Sequence, residues 1–114
     1  MAEPRSDVLQ GTLEMLVLKT LSLAPLHGWG LSVRLRQISG EVFDVQQGSL
    51  YPALQRMLRY GWVKGSWRPS ENNRRARYYE LTREGRRQLE EQTAEWRRSS
   101  GAVERVLRFA LQGG

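Results

Sequence analysis

Two stretches of this chain have residue types and spacing suited to chemistry: Gly48-Ser49-Leu50-Tyr51-Pro52-Ala53-Leu54, and further along Glu71-Asn72-Asn73-Arg74-Arg75-Ala76-Arg77-Tyr78-Tyr79-Glu80-Leu81-Thr82. The first reads as the opening of a short amphipathic helix. The second reads as an arginine-tipped hairpin closing into a strand. Ser and Tyr hydroxyls suit phosphate oxygens, Gln can pair with an adenine edge, and Arg takes phosphates or the negative minor groove. A helix followed by a basic hairpin is how a winged helix-turn-helix meets a duplex, with the helix in the major groove and the hairpin on the adjacent backbone. The candidate contacts are Gln46, Gln47, Ser49, Tyr51 and Arg56 on the helix, and Lys64, Asn73, Arg74, Arg75 and Arg77 on the hairpin. The plainer alternatives are a polar helix face and a solvated turn. Lys64 and Arg77 extend the charge from the turn onto the strands and favour DNA.

At 114 residues the chain suits one domain with a modest core. Its 18 Lys and Arg against 12 Asp and Glu give a net charge of +6 and a pI near 10.5. That sign points to a polyanionic partner and does not bear on fold. The charge is also local. Arg56, Arg59, Lys64, Arg68, Arg74, Arg75, Arg77, Arg83, Arg86 and Arg87 are opposed in their stretch only by Glu71, Glu80 and Glu84. There is no Cys, hence no disulfide and no thiolate metal site. No signal-peptide pattern and no apolar run near the roughly 20 residues of a membrane span is visible, so a cytoplasmic protein without a membrane partner is expected. A serine nucleophile needs a base within reach, and His27 is the only imidazole. With no P-loop, dinucleotide fingerprint or zinc signature, no catalysis, metal or cofactor is expected. His27, beside Gly28 at a helix start, reads as a cap or turn hydrogen bond.

The elements that position these residues follow from periodicity. Leu9, Leu13, Leu16, Val17 and Leu21 predict a first helix to about Leu23, with Asp7 and Gln10 at capping-box spacing and Pro25 as a stop. Leu26-His27-Gly28 reads as a tight link. Leu31, Leu35 and Ile38 define a second helix closed at Ser39-Gly40. Val42 to Val45 is at best a short strand. The third helix starts near Gln47 or Gly48, with Pro52 in its first turn, Leu50, Leu54, Met57 and Leu58 inward, and Ala53 among the outward positions. Trp62 to Trp67 and Arg77 to Leu81 form a hairpin whose aromatics, like Trp29, read as packing residues. Thr82 caps a final helix to about Leu111, roughly 43 Å at about 1.5 Å per residue. That helix carries a weak heptad seam. Leu89, Trp96, Val103 and Ala110 repeat every seventh position, with Thr93, Ser100 and Leu107 between them. A second copy is the expected cover. The fold class is thus mainly α with a small β hairpin: a winged helix over residues 1–82 and a C-terminal dimerisation helix over residues 83–114, as one compact unit.

Across nearly its whole length the chain resembles the PadR family of bacterial transcriptional regulators. The match runs through Gly11-Thr12-Leu13, Pro25-Leu26-His27-Gly28-Trp29-Gly30-Leu31, Gly48 to Leu54, Trp67, Glu71 to Tyr79, Leu81-Thr82-Arg83-Glu84-Gly85, Trp96 and Val106-Leu107. The single last helix looks like the compact subgroup. The resemblance implies a homodimer on an inverted-repeat operator, usually a repressor, dimerising through the last helix and part of the first, where Leu13 lies. Some members sense aromatic or drug-like molecules. Trp96, as a dimer anchor, is therefore also the candidate for stacking on a small aromatic effector, with Thr93 and Ser100 beside it. The chain departs from the pattern at Trp29, where Tyr is usual, and in the more basic strand Val63-Lys64-Gly65-Ser66. Two rival readings stand: a winged helix used for protein contact, and a non-specific single-strand or RNA binder. The second wants exposed aromatics along a groove, whereas these read as buried.

Overall fold

The computed structural model describes residues 6–111, with the side chains of residues 12–111. The order is α1 (Ser6–Leu23), β1 (Leu26–His27), α2 (Gly28–Ile38), α3 (Gln47–Tyr60), β2 (Val63–Pro69), β3 (Arg75–Leu81) and α4 (Arg83–Arg108). The strands form an antiparallel sheet in the order β1-β3-β2. The fold is therefore mainly α with a small sheet, a winged helix continued by one long helix. The Asp7–Gln10 capping pair falls outside the described side chains.

The core lies where α1, α2 and α3 meet the sheet. Val17, Leu18 and Leu21 of α1 pack with Leu31 and Leu35 of α2, Leu50, Leu54 and Met57 of α3, and Val63, Tyr79 and Leu81 of the hairpin. Fully burying such an aliphatic side chain contributes roughly 1.5–3 kcal/mol. Both α2 and α3 end in Schellman turns. Gly40 (φ 65°) and Gly61 (φ 78°) take the left-handed position, with Glu41 N–H donating to Arg36 O and Trp62 N–H to Met57 O.

Several positions depart from the reading of the sequence. Leu26–His27 is a strand rather than a link, and pairs with Tyr79 and Tyr78. It occupies the second edge of β3, so residues 42–45 have no strand to join. They form a loop held by Phe43 N–H on Ser39 Oγ and Ser32 Oγ on the carbonyl of Val45. Because α3 starts at Gln47, Pro52 lies in its second turn and leaves the Gly48 carbonyl without its helical donor. Ala53 is fully buried rather than outward-facing. Leu13 is also buried, within this chain's own core, and so is not available to a dimer interface. Trp29 is 69% exposed, not core. α4 runs unbroken through Gly101 but ends at Arg108, leaving Ala110 beyond the helix and off its seam.

The passage from wing to α4 is a close backbone joint. Thr82 N–H donates to the Trp62 carbonyl, and its Oγ1 donates to the Gly61 carbonyl at 2.6 Å. The same Oγ1 accepts from Gly85 N–H at 3.0 Å, capping α4. Gly85 rides directly on the Trp62 carbonyl, leaving no space for a Cβ. Because the obstruction is backbone, Gly85→Ala is expected to cost at least about 2 kcal/mol. Thr82→Ala should cost about 1 kcal/mol through the lost cap. Thermal unfolding of the two variants beside wild type measures both, and the glycine variant should melt lower.

Candidate nucleic-acid interface

The start of α3 stands in solvent. Gln46 is its N-cap in extended conformation, but its side chain makes no capping bond, and no acid lies in the first turn. The first turn thus brings no carboxylate of its own to the positive end of the helix, and that end favours an incoming anion. Ser49 and Tyr51 are exposed on this end. Gln47 is half-buried. Its Nε2 donates to Ser32 Oγ at 2.7 Å and to the Gly28 carbonyl at 3.3 Å, so its amide ties α3 to α2. Arg56 also points elsewhere: its Nε donates to Glu14 on α1 at 3.0 Å. Of the helix candidates, Gln46, Ser49 and Tyr51 are the ones left free of such a tie.

The wing is built by a turn that closes on itself. Ser70 N–H donates to the Arg74 carbonyl, Asn73 N–H to the Ser70 carbonyl, and Ser70 Oγ to Asn72 Oδ1. Asn73 takes φ 69°, a conformation its short polar side chain tolerates. Lys64, Arg74 and Arg75 are exposed. Arg68 stacks over Tyr78 at 4.5 Å, Arg75 over Trp67 at 5.9 Å and Arg77 over Tyr79 at 5.8 Å. Three wing arginines are thus carried on aromatic faces, which orient a cation without neutralising it. Burial pushes the Tyr79 phenol above its ordinary range.

His27 sets the wing against α2. Its Nδ1 accepts from Gly30 N–H at 3.0 Å, capping α2 as its place in the sequence suggested. Nε2 must then carry the proton, and it donates to Glu71 in the wing turn at 2.9 Å. The ring also meets Tyr78 edge-on at 5.1 Å. The bond from His27 holds the Glu71 carboxyl below its ordinary range.

Between α3, the start of α2 and the wing runs an open groove of about 770 Å³, with Trp29, Tyr51, Trp67, Arg74, Arg75 and Arg77 in its walls. Trp29 and Trp67 are 69% and 59% exposed, so their packing role does not hold. Signals for both were in the chain. Trp29 sits two residues before Leu31, off the inward face of a 3.6-residue period. Trp67 shares the core-facing side of β2 but lies beyond the reach of the core. Arg68, marked in the sequence only by the basic run it belongs to, joins the wing through Tyr78. On α4, Leu89 packs on this chain's core, while Trp96, Val103 and Leu107 are 46%, 56% and 74% exposed, with Thr93 and Ser100 half-buried near them. No His, Asp and Glu cluster able to hold a metal occurs among the described residues. No helix among them is long and apolar enough to cross a membrane.

A helix-turn-helix whose reading helix abuts a basic two-stranded wing defines the winged-helix class, and the match to known proteins narrows it. The chain belongs to the transcriptional regulator PadR-like family, whose sequence pattern matches residues 17–91. It is similar to a PadR-like transcriptional regulator of Bacillus cereus, at 33% identity, with 91% of this chain and 99% of that one covered and a TM-score of 0.79. It is also similar to a Streptococcus transcriptional regulator, at 30% identity, with 89% and 97% covered and a TM-score of 0.77. An uncharacterized 37.1 kDa protein in a transposon of Streptomyces fradiae is 39% identical over 90 residues, 79% of this chain but only 24% of that protein. Membership makes the chain a DNA-binding regulator of transcription rather than an enzyme.

The His27–Glu71 bond carries a pH sign. A carboxyl depressed in the folded state contributes stability that is present above its unfolded pKa of about 4.3 and is lost as pH falls through the folded value. Glu71→Gln should therefore flatten the acid limb of the stability–pH curve between pH ~5 and pH ~3 relative to wild type. His27→Ala should flatten it similarly and also cost about 1 kcal/mol at neutral pH through the lost helix cap. Chemical denaturation across that pH range reads both effects.

Proposed function

We propose that this regulator is a homodimeric repressor on an inverted-repeat operator, each protomer placing the start of α3 in a major groove and the wing along the neighbouring backbone. The observation that carries the reading is the groove in which Tyr51, near the start of α3, faces Arg74, Arg75 and Arg77. Gln46, Ser49 and Tyr51 are the base- and phosphate-facing set, with Lys64, Asn73, Arg74, Arg75 and Arg77 on the wing. Gln47 and Arg56 act by holding α3 to its neighbours. Trp96, Ser100, Val103 and Leu107 form the dimer seam on the far half of α4, where exposed apolar side chains support burial against a second copy. Two-fold symmetry then puts half-sites about one helical turn, roughly 34 Å, apart.

Trp96 also borders two open crevices, one of about 670 Å³ shared with Met15 and Gln92, the other shared with Ser100 and Val103. Dimerisation over them would enclose a site for a small flat aromatic effector. Such a ligand releases DNA only by favouring one arrangement of the protomers over the other.

The exposed indoles of Trp29 and Trp67 remove one objection to single-strand binding and also suit a protein-contact surface. One experiment separates these readings. The tagged protein is immunoprecipitated with its genomic DNA, and the strongest site is titrated as duplex and as single strand over a salt series. If each protomer meets about four phosphates, the duplex should show a slope near −7 in log K against log[salt], at about −0.9 per phosphate. Arg74→Ala with Arg75→Ala should lower both affinity and slope while the dimer persists. Equal affinity for single strands, or a slope unmoved by the double variant, contradicts the proposal. Separately, Trp96→Leu should weaken binding of flat aromatics measured by fluorescence titration. Equal binding by both proteins removes Trp96 from any effector site.

A further inference from the structure

We infer that Gly65 is a positioning residue for DNA binding. By lacking a side chain it lets the Arg77 guanidinium lie back across the inner face of the wing, where it is held ready for one backbone phosphate. The inference rests on the DNA-binding reading above and goes beyond it in naming what aims the charge.

Register places the residues. Gly65 lies opposite Tyr79 and Trp67 opposite Arg77, so Val63, Gly65, Trp67, Arg75, Arg77, Tyr79 and Leu81 share one face of the hairpin. At one end Val63, Tyr79 and Leu81 are core. At the other, Trp67 and Arg75 emerge into solvent. Arg77 sits at the boundary and is half-buried. A cation there would normally extend into water, yet its guanidinium folds over the glycine. A Cβ on Gly65 would stand 2.5 Å from its Nε, 3.0 Å from Nη2 and 3.1 Å from Cζ. The Tyr79 ring supports it from the side.

Held this way, Arg77 is incompletely satisfied. Its Nε is buried and has no hydrogen-bond partner. With Nε covered, the guanidinium meets the groove as a permanent cation that no carboxylate of the described residues pairs, so the arrangement favours an acceptor that enters the groove. The acceptor must be anionic, because Arg74 and Arg75 line the same groove and its one carboxylate, Glu71, is engaged by His27. It must also be thin enough to pass between Tyr51 on α3 and the wing. A single sugar–phosphate strand meets both conditions: it separates the groove read by the helix from the groove touched by the wing. The exposed indoles of Trp29 and Trp67 offer apolar walls to its deoxyribose.

The test compares wild type, Gly65→Ala, Arg77→Ala and the double variant on the strongest genomic duplex, titrated over a salt series. Arg77→Ala should weaken binding roughly tenfold and reduce the slope by about 0.9 for each bound protomer. Gly65→Ala, which removes no charge, should reproduce most of that loss. The double variant should be no worse than Arg77→Ala alone, since both act on one contact. Thermal unfolding of Gly65→Ala checks that the fold is intact. Should that variant unfold, duplexes with a neutral methylphosphonate at each position in turn give the second reading. One position in each half-site should weaken wild type and leave Arg77→Ala unaffected. Wild-type affinity and slope in a folded Gly65→Ala, additive losses in the double variant, or no methylphosphonate position silent in Arg77→Ala overturn the inference while leaving the DNA-binding reading in place. Failure of wild type to bind any duplex overturns both.

Discussion

The contact of Gly85 with the Trp62 carbonyl fixes how the three functional parts of this protein sit relative to one another. Trp62 follows directly on the C-cap of α3 and leads into the wing, while Gly85 lies in the first turn of α4. Thr82 closes the joint from the other strand, bonded to Gly61, Trp62 and Gly85 together. No flexible side chain intervenes, and glycine is the one residue that allows the backbones to approach so closely. The end of α3, the hairpin and the start of α4 are therefore joined through direct backbone contact. In the proposed dimer joined along α4, a change in the packing of the two long helices would pass through this joint to the spacing of the reading helices.

On the wing the charge is held by aromatics rather than by carboxylates. Arg68, Arg75 and Arg77 each lie over a Tyr or Trp ring. The ion pairs of the described residues lie elsewhere, largely along α4 and between α1 and α3, except for His27 with Glu71. An arginine paired with a carboxylate would have to give up that partner to take a phosphate. One stacked on a ring keeps its charge and gives up little orientation.

Much of this was legible in the chain. The leucine spacing of α1 to α3, Gly40 as a helix stop, and His27 and Thr82 as caps each follow from local rules. What was not legible depends on contacts distant in sequence. Two residues, Leu26 and His27, carry no strand signal of their own and become β1 only because β3 has a free edge. Arg56 and Gln47 read as free polar side chains because their partners, Glu14 and Ser32, lie on other helices. Leu89 fits an intermolecular seam by period, and Leu13 an interface by the family resemblance, yet tertiary packing draws both onto this chain's own core. The exposed Trp29 and Trp67 show the limit of reading an aromatic as core from its type alone. Hydrophobic character favours burial, but a small domain has too little interior to take every indole.

The most direct test of the account is hydroxyl-radical footprinting of the protein on its strongest genomic duplex. A dimer reading two half-sites should leave two symmetry-related blocks of backbone protection on one face of the duplex, each pairing a strand passing between α3 and the wing with the adjacent minor-groove edge. Continuous protection along any sequence, or a single block without a symmetric mate, would contradict it.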